Sequence, residues 1–302
     1  MSKLQQRPLA QLAAGLSAAS MRRPRTTVAV YAIAAALLVA AAARLPSEVG
    51  YAAYFGPRSP EVLRLASFLD EFESGVHLLV VFGCRETTRC QAIAEPWSLD
   101  FLGRLQAALD GVPDVRRTWS ALNTPILVGP LETRTLAERE GGKLVLASDW
   151  PSLLATAREQ RFFNGTVLAA DGRSAGIVVE LQSIESEPMR AAVRAVLALL
   201  PRFEKELGAE LHVAGDPVWT VVSSDTLERD AVVLTALMFA VMGVLLFLLF
   251  RDAWFALLPV LAVAFVTAAV QGVAALAELP MTSLLSALPP LLVVIAVATS
   301  IH

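Results

Sequence analysis

Between Asp230 and His302 the chain carries three long apolar runs with almost no charge between them. Ala231 to Phe250 holds no charged residue, Ala253 to Ala277 holds a single amide, Gln271, and Thr282 to Ile301 carries only Ser and Thr as polar residues. A helix needs about 20 apolar residues to cross a bilayer core, and spanning backbone must satisfy its own hydrogen bonds. Three such runs in close succession leave little choice but a cluster of membrane helices. A fourth run, Thr26 to Ala43, lies near the N-terminus. It is alanine-rich and follows Arg22, Arg23 and Arg25, which is also how a secretory signal peptide looks, with Ala41-Ala42-Ala43 as its cleavage site. Either reading carries the following residues across the membrane.

Composition agrees. Hydrophobic residues make up 55% of the 302 and charged residues only 18%, against about 25% in soluble domains. The net charge of −3 excludes the basic footprint of a nucleic-acid binder. Orientation follows from the positive-inside rule. Lys3, Arg7, Arg22, Arg23 and Arg25 precede the first run and put the N-terminus in the cytoplasm. Arg251 then falls on the cytoplasmic turn between the second and third runs, and the turn at Ala277-Glu278-Leu279-Pro280 has no base. The expected organisation is a cytoplasmic tail (1–25), a first span (26–44), an extracytoplasmic domain (45–229) and a bundle of three further spans (230–302).

The middle section has soluble patterning. Ser59-Pro60-Glu61 is a helix start, with a capping serine and proline at the first position, and Pro60 to Phe72 continues with Val62, Leu65, Phe68, Leu69 and Phe72 at helical spacing. Val76 to Gly83 reads as a buried strand, Ser98 to Leu109 as a helix and Val115 to Leu122 as a second strand. Asp171-Gly172 between Gly165–Ala169 and Ser174–Leu181 signals a hairpin. Pro188 to Phe203 is an amphipathic helix, and Glu210 to Ala214 is a last strand ended by Gly215-Asp216-Pro217. The order strand, helix, strand, insertion, strand, helix, strand predicts a ferredoxin-like βαββαβ domain, with the insertion, Thr124 to Phe163, expected to be helical.

Cys84 and Cys90 flank a polar loop, Arg85 to Arg89. In an oxidising compartment they are expected to form a disulfide; the alternative is two unpaired thiols. Nothing suggests an enzyme: there is no nucleophile elbow, phosphate loop or metal-ligand spacing, and no metal or cofactor is expected. Ser223 and Ser224 read as first-turn residues of the second span, not as nucleophiles.

The arrangement resembles the first half of resistance–nodulation–division (RND) transporters, in the branch of MMPL-type and hydrophobe-exporting permeases. Leu105 to Asn123 (LQAALDGVPDVRRTWSALN) is similar to that family's helix, turn and strand. Val167 to Leu181 (VLAADGRSAGIVVEL) resembles its hairpin, and Gly215-Asp216-Pro217 the glycine and proline before its second span. Leu249 to Pro259 (LFRDAWFALLP) resembles its short cytoplasmic turn, and Leu288 to His302 (LPPLLVVIAVATSIH) its fourth span. The resemblance implies a porter-type outer domain and an inner-membrane exporter of hydrophobic or lipidic compounds, driven by protons, with its large domain in the periplasm or outside. Its expected partners are membrane lipids, the hydrophobic substrate and a second transporter half; a homo-oligomer is compatible with it.

Two departures matter. Relatives have two such halves, whereas this sequence ends at His302 inside a span, which suggests a fragment. Relatives also place a carboxylate three or four positions before the histidine of the fourth span. Here those positions are Thr299 and Ala298, with Ala296 in place of the family glycine. Intramembrane acids are costly and relay protons where they occur. Threonine cannot do so; the hydroxyls of Thr299 and Ser300 either bond the carbonyl one turn back or meet an acid of the other half. His302 is the one side chain of the expected spans that titrates near neutral pH, either a relay or an interfacial helix end. These three are the candidate coupling positions. Gln271 reads as a packing amide, and Pro259, Pro289 and Pro290 as kink points. The missing carboxylate leaves open a second reading, a non-transporting membrane sensor or scaffold of the same architecture.

Overall fold

A computed structural model describes residues 22–42, 50–56, 58–72, 75–130, 132–140, 143–161 and 163–277, together with Leu279 and Leu291. The chain divides into two compact units: 48–226, and 1–47 with 227–302.

The α/β architecture of the 48–226 unit begins with helix α2 (Tyr51–Phe55) and helix α3 (Pro60–Glu71), which lead into strand β1 (Val76–Gly83). Ser59 caps α3, its hydroxyl accepting from the Val62 N–H at 3.2 Å, and Pro60 opens the first turn. After β1 come α4 (Pro96–Asp110), β2 (Val115–Trp119), two two-stranded ribbons β3 (Ile126–Leu127) with β4 (Thr133–Arg134) and β5 (Ala137–Glu140) with β6 (Lys143–Leu146), then α5 (Trp150–Glu159), β7 (Ser174–Leu181), α6 (Ser186–Leu207) and β8 (His212–Ala214). The main sheet is antiparallel, with strands in the order β2-β7-β1-β8. Alternation puts Leu78, Val80 and Phe82 of β1 and Ile177, Val179 and Leu181 of β7 on one face. That face is buried with Leu102, Leu105 and Leu109 of α4 and Val193, Val196 and Phe203 of α6. Phe101 sits edge-on to both Phe82 and Phe203, at 5.1 and 5.8 Å between ring centres.

Three local expectations are corrected. The 124–163 insertion is two short ribbons and one helix, not a helical segment. Gly129-Pro130 and Gly141-Gly142 interrupt any 3.6-residue period in its sequence and favour turns. The second strand stops at Trp119. Ser120 N–H donates to Asn123 Oδ1 (2.8 Å), and Thr124 Oγ1 donates back to the Ser120 carbonyl (2.7 Å), closing a side-chain-capped turn over what read as strand. The arm Gly165–Ala169 is not a full strand: it makes bridges at Asn164–Leu168 and Leu168–Ala175 only, although Gly172 N–H bonds the Ala169 carbonyl at 2.9 Å.

The other unit contains α1 (Pro24–Ala42) and α8 (Ala253–Leu276), with part of α7 (Asp216–Phe250). The run read as a span from Ala231 is the second half of a 35-residue helix. Nothing after Pro217 breaks it, and the charges of 225–230 are compatible with helix. Two residues, Arg251 and Asp252, join α7 to α8. Arg251 takes φ 53°, and Asp252 Oδ1 accepts from the Trp254 N–H at 2.8 Å, capping α8. Met242 and Leu246 of α7 pack with Ala256 and Val263 of α8. Helix α1 packs on α8, where Tyr31 meets Phe265 edge-on at 5.6 Å. The expected fourth span lies outside the described residues, apart from Leu291.

Candidate functional site

The membrane helices supply few polar groups. In α8, Thr267 is buried and its hydroxyl donates to the Val263 carbonyl at 3.0 Å, so it is satisfied within its own helix. Gln271 is half-buried on α8, and Pro259 lies inside that helix. Gly272 lets the backbones approach: a Cβ there would stand 2.7 Å from the Leu38 carbonyl oxygen of α1. Such close contact through a small residue is how membrane helices associate. Thr299, Ser300 and His302 lie outside the described residues.

The 48–226 unit holds Cys84 and Cys90 in a disulfide, with Cα atoms 5.0 Å apart, both buried. Inside the loop they close, Thr88 Oγ1 accepts from the Arg85 N–H at 2.7 Å, and Arg89 lies over the Trp97 ring at 5.3 Å.

Three sets of charged groups were not singled out by sequence patterning. Glu180 of β7 is opposite His77 of β1 and Arg117 of β2, forming one row across three strands on the face away from α4 and α6. Its side chain is fully buried. Arg117 Nε donates to Oε2, while Oε1 has no partner among the described residues. Trp119 stacks on His77 at 5.8 Å and lies under the Arg117 guanidinium at 4.6 Å. The only sequence signal was an acid at an alternating position within VVEL. The second set is on α6 and α7, where Arg194 grips both oxygens of Asp225 at 2.8–2.9 Å and Arg190 approaches at 3.8 Å. The third is peripheral. Arg104 makes a two-pronged bond to Glu206, at 2.6 and 2.8 Å, which holds that carboxyl below its usual range against the opposing effect of burial. Arg134 depresses Asp149 in the same way. Among the described residues no three His, Cys, Asp or Glu side chains converge as metal ligands.

Three helices, Pro24–Ala42, Asp216–Phe250 and Ala253–Leu276, are long and apolar enough to cross a membrane. With the α/β unit carried between the first two, they define a multi-span membrane protein. The MMPL family model matches residues 133–302, from β4 through α7 and α8, and the chain belongs to the MMPL family. That membership makes it a membrane protein of transporter type. Comparison with curated proteins gave no match.

Proposed function

We propose that the chain is the N-terminal half of an RND-superfamily exporter of hydrophobic or lipidic compounds, driven by protons across the inner membrane. The observation that carries this reading is the MMPL match running from the α/β unit into the membrane helices. In this reading the 48–226 unit is a ferredoxin-like, porter-type domain on the extracytoplasmic side. Its element order and the strand order β2-β7-β1-β8 support that fold. The bases before α1 and Arg251 in the α7–α8 turn support that side, and the Cys84–Cys90 disulfide agrees with an oxidising compartment.

A carboxylate is absent from 253–277 and from 282–302. The acid that couples transport to protons is therefore assigned to a second transporter half, with Thr299 and Ser300 at most hydrogen-bonding to it. The same absence favours the other reading, a sensor or scaffold. Export assays separate the two: in the exporter, Thr299→Ala lowers activity modestly, since one uncharged hydrogen bond is worth about 0.5–1.5 kcal/mol. Complete loss on His302→Ala, with rescue by another titratable side chain, would put the relay in this half. Topology has its own test, because the two native cysteines are joined and silent to thiol reagents. A membrane-impermeant maleimide should label Arg202→Cys and not Arg251→Cys in intact spheroplasts; the reverse pattern overturns the outer placement.

A further inference from the structure

Aromatic side chains in the α7–α8 hairpin are sorted by depth. Between positions 227 and 276 they are Phe239, Phe247, Phe250, Trp254, Phe255 and Phe265. The two farthest from the Arg251–Asp252 turn are engaged by protein: Phe239 packs on the cluster of Met242 and Leu246, and Phe265 meets Tyr31 of α1 edge-on. The four nearest face outward, at 45–78% exposure, with Trp254 the highest. Exposed aliphatic side chains show no such sorting: they run from Val232 and Leu237 in α7 through Val266 to Leu276 in α8. The contrast is therefore one of residue type and position, not of exposure. At 1.5 Å per residue, none of the four aromatic positions is more than about 6 Å from the turn along its helix. The turn itself is polar. Arg251 and Asp252 are both exposed, and Arg251 ends α7 in the left-handed conformation with its N–H on the Phe247 carbonyl at 2.8 Å.

We propose that this turn is a lipid anchor: Trp254, flanked by Phe247, Phe250 and Phe255, seats at the headgroup level of one leaflet and fixes the depth of the hairpin. The occupant is lipid because the four rings are continuous with two helices that are long and apolar enough to cross a bilayer and whose apolar side chains face outward. Lipid surrounds such a hairpin, so the rings act as a collar at one depth and need not share a helix face. The lengths agree. The apolar run 231–250 of α7 is about 30 Å long, the thickness of a hydrocarbon core, so it ends where the turn begins and the aromatic positions straddle the edge of that core. The chemistry agrees as well. An indole has a broad apolar face and one N–H donor, and it favours the boundary between acyl chains and headgroups over either side. The phenylalanines add apolar area at the same depth, and Arg251 supplies a cation at the level of the lipid phosphates. Among the described residues from 227 to 276 the far ends of the hairpin carry no exposed aromatic. The turn end therefore sets the depth, and the far ends adjust to bilayer thickness. Helix α8, with 24 residues, is about 36 Å long, an excess over the core that tilt absorbs. The proposal requires membrane spans but not transport, and it concerns α7 and α8 alone, whichever leaflet the turn meets.

The test is depth-resolved quenching of Trp254 in phosphatidylcholine proteoliposomes. The sequence has five tryptophans, and the difference between the unsubstituted protein and Trp254→Phe isolates the emission of this one. The Asp252 cap bonds the backbone N–H of residue 254 and survives the change. Bromine carried on the acyl chains near the headgroup should quench this emission more than bromine near the chain ends. The emission maximum should stay constant as the acyl chains are lengthened, because the turn end keeps its depth. Stronger quenching by deep bromine, or a blue shift in thicker bilayers, would mean that the hairpin is held from its other end and would overturn the proposal. No quenching by either lipid would mean that water or protein covers the turn, and would overturn it equally. If Trp254→Phe does not fold, the unsubstituted protein decides: a phospholipid with a diazirine in its headgroup should photolabel peptides within 247–255, and absence of adducts there refutes the anchor.

Discussion

Replacing Gly272 by alanine should loosen the α1–α8 pair, by an amount the geometry sets. A Cβ at 272 would stand 2.7 Å from the Leu38 carbonyl oxygen and 2.8 Å from Leu38 Cβ and Cδ2, where ordinary contact begins at 3.4 Å. The helices must part by about 0.7 Å, the difference between 3.4 and 2.7. A gap of about 0.5–1 Å forfeits about a quarter to a half of each contact's attraction, and overpacking of this kind costs about 1–3 kcal/mol. A chain of this size loses roughly 2–4 °C in Tm per kcal/mol, so the loss should be several degrees. Gly243 in α7 is the matched control: nothing lies within 4 Å of its added Cβ. There the same substitution removes only glycine's helix penalty and should stabilise by at most about 1 kcal/mol. Leu38→Ala should rescue Gly272→Ala only in part, because the shortest approach is to backbone. Thermal unfolding of the purified protein in lipid nanodiscs gives the comparison. Equal melting temperatures for Gly272→Ala and Gly243→Ala would show that α1 does not pack on α8 at this glycine.

Other consequences lie in the α/β unit. Gly215→Ala should destabilise strongly and lower expression, because φ is 132° and the new Cβ would meet the His77 carbonyl oxygen at 2.8 Å and Leu78 Cα at 2.9 Å; a normal melting curve would refute the close approach. Opening the short Cys84–Cys90 loop by paired serine substitution should cost about 2 kcal/mol on the loop-entropy estimate, read as a lower urea midpoint than for the oxidised protein. Glu206 and Asp149 titrate below their ordinary values of 4.5 and 3.8 because their arginines bond the charged forms. The stability they add is full above those values and lost as pH falls through the depressed ones; Glu206→Gln should flatten the acid limb of unfolding below about pH 4.5. Glu180→Leu should be neutral or stabilising, since it removes a buried acid with one oxygen unpartnered while Arg117 stays half exposed; a loss above about 3 kcal/mol would mean that Glu180 is satisfied in a way the geometry does not show.

Long signals were legible in the sequence and short ones were not. The apolar runs specified three helices because bilayer crossing demands length and low charge together, and both are visible residue by residue. Strand β1 and the helices α4 and α6 were equally plain, since each buries one face at its own period, and β7 was marked by the Asp171-Gly172 turn before it. Residues 124–163 misled because such short ribbons have no period to detect. The extra length of α7 was missed because the membrane criterion counts apolar residues, and its opening turns, up to Thr226, belong to the α/β unit. Glu180 was invisible because its burial comes from neighbours on two other strands. Phe68 and Phe72 read as part of an ordinary amphipathic stripe, yet both are more than half exposed; a sequence shows that a helix has an apolar face but not what covers it.

The central claim, a proton-driven exporter, is tested most directly by reconstituting the protein encoded by the complete gene into liposomes and imposing a pH gradient. The substrate is a lipophilic fluorescent probe whose emission reports its movement between leaflet and lumen. Probe movement should follow the gradient, reverse when the gradient is reversed and disappear with a proton ionophore. Gradient-independent behaviour, identical to that of protein-free liposomes, in protein shown to be folded and correctly oriented would contradict it.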